Sequence, residues 1–417
     1  MMIHLTKSQT QTGRGSAEAR RMLAEWGAAP MLFFALLTDK RYLLSEPGQP
    51  EWGVAYRVMG HQALALGDPF GDPAAAPEAI AGFAEMCGRQ GWKPAWYQTT
   101  AEHLDTYHEA GLKAVKVGED AQIALTDFSL AGKRYVKIRN DLRRIEKAGV
   151  VLETYGPDAP PSTKCIAEMA SISAGWRKAH KANEGWFAMG GFDPKSRLFA
   201  ESRYFVARDS ETDRMLAFTS FVPIFGKGEI AGWTLDLMRR QADTLHGVMD
   251  FLIVSAATWF AAKGGQTLSL GLSPMAGDDD ATEAAATSSI RRFLYTRLNR
   301  AYNFQGLHAF KGKFATRWEP RYLVYSGSLA LAATSGAVLK AHLTAPISSK
   351  PRPAFHLRSS QRRGVVLFAL LLLGLAPFEK TLAKRAVIHP GHWGHFRSLS
   401  YSHLTLHHLG FHRSARA

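Results

Sequence analysis

At 417 residues, 46% hydrophobic and 21% charged, the chain is long enough for two ordinary domains and too apolar for wholesale disorder. Its formal net charge of +15 calls for an anionic partner, nucleic acid or an anionic membrane surface, and composition does not choose between them. Two cysteines, Cys87 and Cys165, exclude a disulfide framework and fit a reducing compartment; with no long apolar signal core near the N-terminus, the bulk of the chain is expected in the cytoplasm.

In chain order, a helical entry at 17–25 leads to two strands, 53–59 and 61–66, separated by Gly60. A Gly/Asp/Pro run from Gly67 to Pro73 marks a turn, and a helix follows over 77–90. A short strand at 93–98, a helix at 101–110 closed by Gly111, and further strand within 113–125 complete a first α/β unit. The acids of the turn, Asp68 and Asp72, are read as bonding backbone amides to fix the loop, with no catalytic role.

Residues 133–147 (KRYVKIRNDLRRIEK) form a helix with two different faces. At 100° per residue Lys133, Lys137, Asn140, Arg144 and Lys147 share one narrow arc, and Tyr135, Ile138, Leu142 and Ile145 lie opposite. Seven basic residues against Asp141 and Glu146 suit a surface that binds an anion, although a plain solvated face has the same pattern.

The second half repeats the α/β order. A strand at 151–155 and a helix at 163–181 precede strands at 204–207, 215–223 and 229–237. In a helix over 247–263, Val248, Phe251, Leu252, Ser255 and Trp259 are spaced for one buried face. A strand at 267–272, a helix at 290–302 and a strand at 321–325 follow. From Pro351 onward there are ten Lys or Arg, one acid (Glu379) and half of the histidines. The apolar run 364–378 would be roughly 22 Å long as a helix against ~30 Å of hydrocarbon, short for a span and flanked by cations at both ends. It reads first as an interfacial anchor, with a buried helix, a disordered tail or a true span as alternatives. His389, His392 and His395 have HxxHxxH spacing, but nothing else supports a metal, and none is assigned.

The stretch WTLDLMRRQADTLHG from Trp233, continuing as VMDFLIVSAATWFAAKGGQTLSLGLSPMAG, together with YNFQGLHAFKGKFATRWEPRYLVY from Tyr302, resembles the C-terminal catalytic domain of bacterial phosphatidylglycerol lysyltransferases, the multiple peptide resistance factors and their alanyl-transferring relatives. DKRYLL at Asp39, GVAYRVMGHQALALGDPFGDP at Gly53 and the basic helix agree, so the resemblance covers roughly residues 17–330. It implies an α/β fold with a tandem of two GNAT-like (acetyltransferase-type) lobes joined by a basic amphipathic helix. The expected boundaries are 1–132, 133–149 and 150–345, followed by a basic tail at 346–417. It also implies transfer of an aminoacyl group, lysyl or alanyl, from aminoacyl-tRNA to a glycerol hydroxyl of phosphatidylglycerol at the inner face of the membrane. Such transfer lowers the pull of the lipid on cationic peptides. The flippase domain that the family usually carries finds no counterpart here, so lipid flipping is not carried over and a separate flippase is an expected partner.

An aminoacyl-tRNA is an activated ester, so the reaction needs a positioned hydroxyl, a route for its proton and donors for the oxyanion, and no cofactor. Asp236, between Leu235 and Leu237 in an apolar run, is suited to the ammonium of the amino acid, or else to a turn or a pair with Arg239. Arg239 and Arg240 suit lipid phosphate or tRNA contacts. His246 is either a base or an N-cap residue, and Asp250, one turn into the helix, complements its dipole and is a candidate substrate contact. Lys311 resembles a site lysine of the family; Trp318, Pro320 and Tyr322 match it with residue types that favour packing. The segment 239–247 lacks the second glycine of the coenzyme A pyrophosphate loop, which argues against an acetyl-CoA enzyme. The remaining rival is a non-catalytic lipid- or RNA-binding protein, which would keep the basic helix and tolerate loss of Asp236.

Overall fold

Glycines in the left-handed region set the punctuation of the first half. In the computed structural model, which describes residues 12–27, 29–180, 187–274, 304–327 and 330–344, Gly60 (φ 63°) turns strand β2 (Trp52–Met59) into β3 (Gln62–Leu66), with Met59 facing Gln62. Around this hairpin lie helix α1 (Thr12–Trp26), β1 (Arg41–Leu44), β4 (Phe70–Gly71), α2 (Ala76–Arg89), β5 (Lys93–Thr99), α3 (Leu104–Glu109) and β6 (Leu112–Ala124). Asp68 accepts bonds from the Thr100 amide and hydroxyl (2.8 and 2.9 Å) and from the Tyr107 hydroxyl (3.1 Å), while Asp72 caps a short helix through the Ala74 amide (2.9 Å). Both acids fasten loops, as the turn chemistry predicts.

The basic segment forms helix α4 (Val136–Lys147) after a single 3-10 turn over Lys133–Tyr135. Ile138 and Ile145 are buried, whereas Lys133, Lys137, Asn140, Arg144 and Lys147 are exposed. The second half then supplies β7 (Val150–Tyr155), α5 (Thr163–His180), α6 (Arg197–Glu201), β8 (Arg203–Asp209), β9 (Met215–Gly226), β10 (Glu229–Arg240), α7 (Val248–Ala262), β11 (Thr267–Pro274), α8 (Phe304–Gly312), β12 (Arg317–Ser326) and α9 (Ala330–Leu343). Helix α7 is buried on more than the one face its spacing predicts. Ile253, Val254, Ala256, Ala257 and Phe260 are inside as well, because the sheet, α4 and the α8–β12 region cover it together. The helix expected over 290–302, the 364–378 run and the histidine tail lie outside the described residues.

The twelve strands among the described residues join one mixed sheet, in the order β1-β2-β3-β5-β12-β6-β11-β10-β9-β8-β7 with β4 on β2. Each half builds an antiparallel meander that ends in a parallel pair with a helical crossover, β3–α2–β5 and β10–α7–β11. The halves then trade strands. β6 of the first pairs with β11 of the second, and β12 of the second inserts between β5 and β6 of the first. Boundaries at 132 and 150 therefore do not mark off two separately bonded sheets. One core lies between α7 and the central strands around Phe260 and Trp233, another under α2 around Trp96 and Phe83. Cys87 and Cys165 are buried and free, their thiols pushed up to about 12 and about 11 by burial. Among the described residues no helix is long and apolar enough to cross a membrane.

Helix α9 docks on the first half through a buried charge cluster. Arg57 donates to the carbonyls of Ala341 and Thr344 (3.0 Å each) at the negative end of the helix and to Asp39 (3.1 Å). Asp39 also pairs with Lys40 (2.5 Å), whose ammonium burial pulls down to about 8 against the raising effect of that carboxylate. Replacing Arg57 by Met removes one partner of a buried carboxylate and the cap of α9. We expect a loss of about 3–5 kcal/mol in chemical denaturation; wild-type stability would show that α9 needs no such latch.

Candidate functional site

The second half contains an opening that the first half lacks. β3 and β5 stay paired over five residue pairs, from Gln62/Lys93 to Leu66/Tyr97. β10 and β11 pair only at Gly232/Thr267, Trp233/Leu268 and Thr234/Ser269. Beyond that point β10 runs on to Arg240 and β11 to Pro274 without pairing to each other. The parallel strands part, and the residues after Thr234 and Ser269 form the two arms of a cleft.

On the β10 arm a bulge falls between Leu235 and Leu237, which face Phe221 and Ser220 of β9, so Asp236 has no opposite residue. Its half-buried carboxylate accepts the Gly190 amide at 2.8 Å. A methyl group at Gly190 would stand 2.3 Å from Leu198 and 2.5 Å from the Asp236 carboxylate, so only glycine admits this approach. Farther along, the buried Arg239 guanidinium lies 3.6 Å above the Trp176 ring of α5. Asp236 and Arg239 thus share one wall with Trp176 and Gly190, two residues the sequence patterns did not single out.

On the β11 arm Gly271 takes φ 79° within a bulge against β6 between Ser269 and Leu272. Lys311, buried at the end of α8, donates to the carbonyls of Gly271 (2.9 Å) and Leu272 (2.8 Å). Burial pulls its ammonium down to about 8, and the Asp120 charge opposes that pull. Behind it lies a polar network: Asp120 accepts from Ser269 (2.6 Å), Gln122 (2.8 Å) and Arg321 (3.1 Å), and Glu319 accepts from Gln122 and Arg321. The sequence does carry a signal for this network. Asp120 and Gln122 alternate with Ala121 and Ile123, and Arg317, Glu319 and Arg321 alternate along β12, which resembles a solvated face until the strands are placed mid-sheet.

Two other candidates, Asp250 and His246, sit elsewhere, and a third, Arg240, stands at the end of the β10 arm. Asp250 is buried and holds Lys313 through both oxygens at 2.5 Å, so its charge is spent inside the fold and not on a substrate. Lys313 in turn lies over the Phe310 and Phe314 rings. His246 is exposed, and its carbonyl accepts from Arg144 at 2.8 Å. The N-cap of α7 is Gly247 (φ 94°), not the histidine. Arg240 is exposed at the end of β10. A Cβ on Gly247 would meet Asp141 at 3.2 Å and the Arg144 guanidinium at 3.4 Å, so α4 covers the helix N-terminus where a pyrophosphate loop would sit.

Residues 20–325 match the family described as phosphatidylglycerol lysyltransferase, C-terminal. The chain belongs to this family. The phosphatidylglycerol lysyltransferase of Bacillus subtilis is 28% identical over 313 residues, covering 75% of this chain and 35% of the relative. This chain therefore spans about a third of the length of the curated relatives it matches. Two solved structures are similar throughout their length. The C-terminal domain of a lysylphosphatidylglycerol synthetase from Agrobacterium fabrum is 28% identical, with a TM-score of 0.65, covering 79% of this chain and 96% of that one. L-PGS from Bacillus licheniformis is 25% identical, also with a TM-score of 0.65, covering 79% and 97%. Both arms of the cleft lie within the family match.

A lysine with a folded value near 8 binds fewer protons than the unfolded chain between there and its ordinary 10.5. Unfolding free energy therefore rises with pH across that window, and the burial cost is fully present below it. From about pH 7.5 to 9.5 the wild type should gain about 1–2 kcal/mol more than Lys311→Met in urea denaturation. Parallel slopes would mean that the amine is charged in both states.

Proposed function

We propose that the chain transfers an aminoacyl group, lysyl in the first instance, from aminoacyl-tRNA to phosphatidylglycerol. The observation that carries the reading is the parted pair of strands, with a carboxylate on one arm and a buried, easily deprotonated lysine on the other, inside the region matched by the family. Asp236 holds the ammonium of the aminoacyl group, and Arg239, on the same wall, attracts the phosphate of lipid or tRNA. Neutral Lys311 takes the proton of the glycerol hydroxyl as its oxygen bonds to the acyl carbon. The bond to the tRNA ribose oxygen breaks, and the proton passes to that oxygen. A lysyl rather than alanyl group is favoured because the relatives bear that name.

The same reading treats the sheet as two GNAT-like lobes that have exchanged their last strands. The repeated meander, the two parallel crossovers and the reciprocal placement of β6 and β12 support it. The outward face of α4 is the docking surface for tRNA or anionic lipid at the inner membrane face. Lys137 and Lys147 are the residues that test it, because Arg144 also ties Asp141 (2.9 Å) and the His246 carbonyl.

Purified protein supplied with phosphatidylglycerol and labelled lysyl-tRNA should yield lysylated lipid. RNase should abolish the product, and acetyl-CoA should not replace the donor. Asp236→Asn keeps the shape and removes the charge; transfer should fall about ten- to a hundredfold, the worth of a charge-assisted contact, with little change in thermal stability. Labelling that survives RNase overturns the donor, and full activity of Asp236→Asn overturns the site. Lys137→Glu with Lys147→Glu should weaken tRNA or anionic-vesicle binding severalfold, most at low salt, whereas wild-type affinity for both would leave α4 a solvated face.

A further inference from the structure

The network behind Lys311 is built more elaborately than a buried strand requires. Asp120, Gln122, Ser269 and Arg321 are all nearly or fully buried. Within the network Ser269 has two jobs. Its hydroxyl donates to Asp120 at 2.6 Å and accepts the Gly271 amide at 3.0 Å, the first amide of the left-handed bulge. The carbonyls that leave that bulge, of Gly271 and Leu272, are the two that receive the Lys311 amine. Asp120 stands opposite Leu272 in the β6–β11 register, so the carboxylate and the amine both bear on one bulge.

We propose that Asp120 and Ser269 are positioning residues for Lys311, holding the Gly271–Leu272 bulge in the one shape that turns both carbonyls onto the amine. A hydroxyl fixed by a carboxylate has its lone pair directed, and here it is directed at the Gly271 N–H. Gly271 itself supplies the conformation, since φ 79° is unfavourable for other residues. Arg321 and Gln122 hold the far oxygen of Asp120, so the carboxylate does not rotate away. Because Asp120 is also the charge that raises the Lys311 value against burial, the same carboxylate sets both where the amine sits and the pH at which it gives up its proton. The other charged or titratable groups on the packed elements are Lys113, Lys116 and Glu119 on β6, Arg317, Glu319, Arg321, Tyr322 and Tyr325 on β12, and His308 on α8 itself, 3.3 Å from Ser273; β11 carries none. The inference rests on the reading that Lys311 belongs to the reacting site.

The test uses the whole chain labelled with [ε-13C]lysine, the Lys311 signal being assigned by its loss in Lys311→Arg. In Asp120→Asn the titration midpoint of Lys311 should fall by about one pH unit, and the matching limb of the kcat profile should move with it. Ser269→Ala keeps the charge and loosens the bulge. Its kcat should fall by about tenfold, one hydrogen bond's worth, with KM for lipid near wild type and a midpoint displaced less than in Asp120→Asn. An unchanged Lys311 midpoint in folded Asp120→Asn overturns the proposal, as does wild-type kcat in Ser269→Ala. Should Asp120→Asn not fold, the Ser269→Ala result decides. Full transfer by Lys311→Met would instead overturn the assignment of Lys311 to the reaction, while the midpoints still report on the network.

Discussion

The β11 arm of the cleft follows from the obligation of backbone groups to find partners when two parallel strands part. After Thr234 and Ser269 the inner edges of β10 and β11 stop bonding to each other, and an unpaired buried amide or carbonyl is costly. Side chains and loops take over on the β11 arm. Lys311 donates to the carbonyls of Gly271 and Leu272, and the Ser269 hydroxyl accepts the Gly271 amide. Asp236, released from the ladder by its bulge, receives the amide of Gly190 from another segment. The groups proposed for the chemistry are thus among those that partner backbone on the two arms.

Two buried lysines show how surroundings divide structure from reactivity. Both Lys40 and Lys311 are pulled down to about 8 by burial. Lys40 touches a carboxylate directly, and that carboxylate is shared with Arg57 at the end of α9, so its charge closes a structural triangle. Among the described residues Lys311 donates to two carbonyls, and the charge that opposes its burial is Asp120. An amine held by neutral acceptors gives up a proton without breaking an ion pair, the condition a proton carrier needs. Asp250 shows the opposite case: paired with Lys313 at 2.5 Å, it is occupied in tying α7 to the α8–β12 turn.

Much of the secondary structure was legible because local rules acted without competition. The Gly60 hairpin, the Asp68 and Asp72 turn and the two faces of α4 appear where pattern and turn chemistry put them. Patterns failed where long-range packing decided. The spacing in α7 marks one apolar face, yet the helix is buried on several sides because strands, α4 and α8–β12 converge on it. His246 carried a base-like signal, but its side chain is exposed and Gly247 takes the cap position.

From the residues alone came the α/β class, the resemblance that the family match bears out, and Asp236, Arg239 and Lys311 as residues worth locating. These depend on composition, on periods of 2 and 3.6 residues, and on contiguous motifs, all of which are local in the chain. Only the tertiary structure decided that β12 enters the first half of the sheet, that β10 and β11 part after three pairs, and that Asp120 stands behind Lys311. Asp120 and Lys311 are 191 positions apart in the chain. No short-range pattern encodes such a meeting, because it is produced by strand order and register, which the hydrogen-bond ladder sets only when the whole sheet forms.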